Sequence, residues 1–278
     1  MLDRESILSF SFSFENWYSI RMSKELQTAM EAAKAGAEVL SQYFEGVFTR
    51  RTKEDTSLVT QADVEAERAI VKRIRASFPD HQILGEEGGS YAGEPSVTWH
   101  IDPLDGTMNF ANSIPIFAVS VALVKDGMVT VGVVCNPATN TLFSAERGKG
   151  AFVSGSPMRV SDQDASQAMV TAGSSKTEGD RRSEDAFGAA MRSRTKYRRR
   201  LGSCALELAF VARGGTEGFA CFGLNTWDYA AGTLLVEEAG GRITDFAGNP
   251  WKFPDPHFIA SNGVMHEALL EAVAGLEG

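Results

Sequence analysis

The sequence is short of the residues that several common chemistries require. Of its 278 residues only three are cysteine, Cys135, Cys204 and Cys221. An odd, widely spaced set is not a disulfide framework; it predicts reduced thiols and a cytoplasmic protein. Histidine is equally sparse, and His81, His100, His257 and His266 form no motif, so a histidine-based phosphatase is excluded. No apolar run approaches the roughly 20 residues of a membrane-spanning helix. Residues 1–22 carry Asp3 and Glu5 near the start and lack a continuous apolar stretch, which is not the pattern of a signal peptide. Basic residues are outnumbered, 27 against 36 acids, for a formal net charge of −9. That balance argues against a general nucleic-acid binder. Internal repeats and low-complexity linkers are lacking too.

What is present reads as one α+β chain in two halves. Leu26, Met30, Ala33, Ala37, Leu40 and Phe44 recur in steps of three and four, predicting an amphipathic helix over 24–46. A second helix is expected after Thr60, running to about Phe78 and stopped by Pro79. The rhythm then turns to strands at 97–101, 117–124, 129–134 and 142–145, with turns at Asp126-Gly127 and Asn136-Pro137. An antiparallel meander covered by the two helices follows. After Gly150, strands at 169–172, 218–222, 242–244 and 258–261 alternate with helices at 184–191, 204–213, 228–238 and 265–273. We therefore expect an α+β half over 23–150 and an α/β half over 151–278. Residues 1–22 are left as an N-terminal extension. It is read as disordered, as a short strand at 9–14, as a partner-binding arm, or as the product of a start upstream of Met22.

Acids are concentrated beside turn residues in Gly85-Glu86-Glu87-Gly88-Gly89, Asp102-Pro103-Leu104-Asp105-Gly106-Thr107 and Trp227-Asp228, with Asp63 at a helix start. Each has a plain reading alone: a turn, a solvated loop, a capping box, a helix N-terminus. If Glu86, Asp102, Asp105 and Asp228 converge, however, they repel one another unless hard cations compensate. Oxygen-only ligands point to Mg²⁺ or Mn²⁺ rather than zinc. Aspartates three apart do not fit a phosphoaspartate enzyme, whose aspartates stand two apart. Gly148-Lys149-Gly150 is not a nucleotide-binding P-loop.

Gly85-Glu86-Glu87, WHIDPLDGTMNF (99–110) and WDYAAGTLLVEEAGG (227–241) resemble the three signature blocks of the inositol monophosphatase superfamily, a Mg²⁺-dependent, lithium-sensitive group of phosphatases. The resemblance runs from about Lys24 to the C-terminus. It implies a layered α-β-α-β-α sandwich, a homodimer, and two or three Mg²⁺ ions, with Mn²⁺ as the alternative. By that resemblance Glu86, Asp102 and the Leu104 carbonyl hold the first ion. Asp102, Asp105 and Asp228 hold the second, and Glu86 supports a weaker third, near which Lys53 falls. Asp63, Thr107 and Glu86 are then the catalytic set, the Thr107 hydroxyl pairing with Asp63 to orient an attacking water. The amides of Gly106 and Thr107 face the phosphate.

Arg200, Gly202, Ser203, Cys204, Cys221, Asp105 and Asp228 complete the substrate side. The family's glutamate seven residues before the metal-binding aspartate is Cys221 here, a poor acceptor for two hydroxyls. The implied reaction is hydrolysis of myo-inositol 1-phosphate, with fructose 1,6-bisphosphate and histidinol phosphate as the alternatives. A regulatory binding protein with residual phosphatase activity is the rival from another class. The expected partner is thus a small phosphorylated polyol or sugar, not nucleic acid or membrane. The run RSRTKYRRR (192–200) carries six basic residues. It reads as a solvated strand and loop, or as an attractor of phosphorylated substrates.

Overall fold

The computed structural model describes residues 22–44, 50–52 and 58–276. Lys53, the strand considered at 9–14 and the rest of 1–21 lie outside them. Ser23 caps α1 (Lys24–Tyr43), its hydroxyl accepting the Leu26 amide at 3.0 Å. The predicted stripe from Leu26 to Leu40 is buried, but the helix stops short of residue 46 because Phe44 turns extended. A ribbon of β1 (Arg50–Thr52) and β2 (Leu58–Thr60) precedes α2 (Gln61–Ser77), which ends before Pro79 as its ring requires. The buried face of α2 carries Ala62, Ala66, Ile70 and Ile74, and also two acids, Asp63 and Glu67. Carboxylates on a packed face are costly unless they are engaged.

The next elements are β3 (His81–Gly85), β4 (Gly89–Tyr91), β5 (Glu94–Asp105), α3 (Thr107–Ala111), β6 (Ala118–Lys125), β7 (Met128–Asn136), β8 (Thr141–Glu146), β9 (Ala151–Val153) and β10 (Ser156–Pro157). Their strands form one eight-stranded sheet in the order β10-β9-β8-β7-β6-β5-β3-β4. The expected meander is its centre, β5 to β8. Only β3 with β5 is parallel.

The second half continues with β11 (Met169–Ser174), α4 (Glu178–Ala190), β12 (Tyr197–Arg199), α5 (Cys204–Ala212), β13 (Gly218–Phe222), α6 (Thr226–Glu238), β14 (Arg242–Thr244), β15 (His257–Ser261) and α7 (His266–Val273). Its sheet runs β12-β11-β13-β15-β14. The sheet is mixed: β12, β11 and β13 are parallel, while β15 is antiparallel to both its neighbours.

Side-chain alternation sorts these strands into layers. Val119, Val121 and Leu123 pack with α1 and α2, whereas Ala118, Ala122 and Val124 face α5 and α6. In the second sheet Phe219, Cys221 and Phe258 face α5 and α6, and Ala220, Phe222 and Ile259 face α4 and α7. The result is the α-β-α-β-α sandwich that the resemblance implies. All three cysteines are buried free thiols. Among the described residues no helix is long and apolar enough to cross a membrane.

Candidate active site

A single bulge brings the two central aspartates together. Residues three apart on a regular strand face opposite sides. Between Asp102 and Asp105 the pairing of β5 with β6 shifts: Asp102 faces Ser120 and Asp105 faces Ala118. The extra residue on β5 turns both aspartates to one side, while Leu104 points into the core under α1 and α2. Glu86 follows the end of β3, whose last residue, Gly85, is paired with Ile101, next to Asp102. Asp228 enters from the first turn of α6. All four acids line one cleft of about 410 Å³.

Each aspartate is engaged by backbone. Asp105 takes the N-terminus of α5: its Oδ2 accepts the Ser203 hydroxyl at 2.5 Å and the Ala205 amide at 2.8 Å, and its Oδ1 accepts the Cys204 amide at 3.2 Å. Asp102 Oδ1 accepts the Leu104 amide at 2.9 Å, and Asp228 Oδ2 accepts the Asn225 amide at 2.7 Å. Burial pushes Asp105 up to about 6 even against its three donors. Asp102 is raised well above the usual carboxylate range by burial and then by Glu86, Asp105 and Asp228. Asp228 is raised by burial, Asp105 and Glu86. A buried acid group this crowded takes up protons or cations.

Among the described residues no three acidic, histidine or cysteine side chains are drawn tightly enough to cage an ion. Asp105 and Asp228 are turned to their helix N-termini instead. The donor set itself fits a hard divalent cation: oxygen only, mutually repelling and lining a cleft. Glu86, Asp102, Asp105 and Asp228 are the side chains able to hold it.

Leu104, Gly106, Thr107, Arg200, Gly202, Ser203 and Cys204, all singled out by the sequence, also line the cleft. Gly106 has φ +94°, and a Cβ there would lie 2.9 Å from the Ile116 carbonyl, so this turn needs glycine. The Thr107 hydroxyl donates to the Leu104 carbonyl at 3.1 Å. Asp63 is buried in the first turn of α2 and does not line the cleft. Cys221 is a correction: it lies wholly buried in the core between the second sheet and α5 and α6, not among the lining residues. Burial raises its thiol further, so it stays neutral and packs as a small apolar group.

Four positioning residues were not singled out. Glu207 in α5 is buried, accepts the Leu201 amide at 2.5 Å, and is pushed up to about 8, mainly by burial. Glu184 pairs with Arg200 at 3.3 Å and accepts the Ser174 hydroxyl at 2.5 Å. Glu67 accepts the amides of Glu87 at 2.8 Å and Gly88 at 2.6 Å and the Tyr91 hydroxyl at 2.9 Å. Asn109 donates to the carbonyls of Ile116 and Leu201, both at 2.7 Å, tying α3 to the loop before α5. Asn109→Ala leaves two carbonyls without a donor, and we expect it to cost about 1–3 kcal/mol. A urea midpoint unchanged from the parent protein would refute that role.

A model of the inositol monophosphatase family matches residues 21–277. A Thermotoga maritima protein named fructose-1,6-bisphosphatase/inositol-1-monophosphatase is 42% identical over 216 residues, covering 78% of this chain and 82% of its own. The Pseudomonas aeruginosa protein named Nus factor SuhB is 37% identical over 261 residues, 91% of this chain and 96% of that one. In three dimensions the chain is similar to the extragenic suppressor protein SuhB from Bartonella henselae, with a TM-score of 0.86 at 34% identity. That match covers 91% of this chain and 99% of the other.

Proposed function

The chain belongs to the inositol monophosphatase family, and from that premise we propose that it is a phosphomonoesterase hydrolysing myo-inositol 1-phosphate. The observation that carries this reading is the set of four acids lining one cleft, three of them raised by burial and by one another. Glu86, Asp102, the Leu104 carbonyl, Asp105 and Asp228 would hold two or three Mg²⁺ ions, with Mn²⁺ as the alternative. Bound there, the metal would make a water a better nucleophile by lowering its pKa and would supply positive charge for the phosphate and the leaving oxygen.

The chain's own groups do the rest. Thr107, on the cleft wall, would orient the attacking water, and the buried Asp63 would act through it rather than touch the water. The backbone at Gly106 and Thr107 borders the phosphate. Arg200, held by Glu184, and the 202–204 loop, held by Glu207 and Asn109, border the polyol. With Cys221 in the core, the substrate hydroxyls have no carboxylate from that position, and selectivity falls to this loop. The basic side chains of Lys176, Arg181 and Arg200 on the cleft wall favour phosphorylated ligands over neutral polyols.

The test is Mg²⁺-dependent phosphate release from inositol 1-phosphate, fructose 1,6-bisphosphate and histidinol phosphate, with and without EDTA. We expect turnover that EDTA abolishes and the highest kcat/KM on inositol 1-phosphate. Preference for another ester would move the specificity but keep the mechanism. A second reading, a regulatory binding protein with residual phosphatase activity, draws on the SuhB-named relatives; absence of metal-dependent turnover on every ester would favour it.

A further inference from the structure

A second cavity, of about 450 Å³, adjoins the cleft and shares Ala172 and Arg200 with it. It lies between α4 and the edge strand β12, and the buried Val170 and Phe187 give it an apolar floor. Its rim carries four arginines, Arg192, Arg198, Arg199 and Arg200, against two carboxylates, Glu184 and Asp185. Glu184 is already paired with Arg200 and bonded to Ser174. Among the described residues no carboxylate is paired with Arg192, Arg198 or Arg199. In a protein of net charge −9 this is a concentrated reversal of sign.

The arginines are also given room. Gly188 sits inside α4, where glycine costs helix stability. A Cβ there would lie 2.4 Å from the Arg198 guanidinium, so the glycine lets that group lie across the helix. Guanidinium forks on a concave wall suit the oxygens of a phosphate dianion, which accept paired N–H bonds. The acidic floor of the cleft has the opposite preference: without cations it repels such a group.

We propose that the cavity lined by Arg192, Arg198, Arg199 and Arg200 is a separate anion subsite that takes a phosphate-class group. The group is either a second phosphate carried by a molecule seated in the cleft or a free anion. The site does not depend on turnover, so its test is independent of the phosphatase reading.

The test measures inorganic phosphate binding to the full chain by calorimetry in EDTA, where no divalent cation draws phosphate into the cleft. We expect one phosphate per chain and about tenfold weaker binding in the double variant Arg198→Gln, Arg199→Gln, whose exposed positions leave folding intact. Gly188→Ala, which keeps every charge but displaces Arg198, should weaken binding in the same direction. Arg181→Gln, on the cleft wall alone, should not. No binding by the parent protein, equal affinity in the double variant, or loss only in Arg181→Gln would overturn the subsite. Binding of fructose 1,6-bisphosphate with Mg²⁺ replaced by Ca²⁺ separates the two sources. Weakening in the double variant assigns the site to a pendant phosphate, and no change assigns it to a free anion.

Discussion

Replacing Asp105 by asparagine is expected to lower metal-dependent phosphate release by at least about a hundredfold while stabilising the metal-free protein at neutral pH. Both effects have one origin. Asp105 is 8% exposed and lies among carboxylates, held ionised only by Ser203 and the amides of Cys204 and Ala205. Its folded value, about 6, stands above that of the unfolded chain, about 4. A carboxyl raised on folding contributes its full stability below the unfolded value and loses it as pH rises through the folded one. The metal-free protein should therefore weaken from about pH 4 through 6, and further as the more strongly raised Asp102 and Asp228 ionise. Asparagine removes one such group and keeps an oxygen for Ser203 and Ala205 but turns its NH₂ toward the Cys204 amide, which offsets part of the gain and leaves about 1 kcal/mol at neutral pH. Phosphate release, and urea unfolding in EDTA between pH 5 and 8, check the two halves. Undiminished turnover would remove the metal-phosphatase reading. An unchanged pH slope would mean that Asp105 does not carry the repulsion assigned to it.

The sequence displayed the acids of the cleft but not the side chains that hold them, and the difference is physical. DPLDG, GEE and WD stand at turns where chain geometry and charge conflict, so they are visible without coordinates. Even so, only the β5 bulge explains why Asp102 and Asp105 share a side. Asp63 and Glu67 did carry a signal: they fall on the same α2 face as Ala62, Ala66 and Ile70, and an acid in an apolar stripe needs a partner. Glu207 carried one as well, since it interrupts the otherwise apolar CALELAFVA. Among elements, β3 was missed because HQILG offers only two large apolar residues and no clear alternation. The start of α4 was set six residues late because its first turns, EGDRRS, are polar. Thr177 fixes that start, its hydroxyl accepting the Asp180 amide at 3.1 Å. Cys221 was assigned by position in a motif, and its place on β13 turns it to the core instead.

Glu67→Gln should raise the Mg²⁺ concentration needed for half-maximal activity by about tenfold to a hundredfold without unfolding the protein. Glu86 stands on a turn whose next two amides, those of Glu87 and Gly88, are held by the buried Glu67 carboxylate. Gly88 is small for the same reason: a Cβ there would lie 2.5 Å from Glu67 Oε1 and 2.1 Å from the Tyr91 hydroxyl. The carboxylate meets three donors with two acceptor oxygens. Glutamine offers one oxygen and turns an NH₂ group toward amides that also donate, so the turn must shift and carry Glu86 with it. A purely structural role would lower the unfolding midpoint and leave the Mg²⁺ requirement of the folded fraction unchanged. A positioning role moves the requirement itself, and it moves the Mg²⁺-induced rise in the unfolding midpoint, which needs no turnover. Tyr91→Phe removes one donor and leaves both amides bonded, so its shift should be smaller in both readouts. If Glu67→Gln and Tyr91→Phe leave both unchanged, the Glu86 turn is fixed by its own backbone and Glu67 only fills the core.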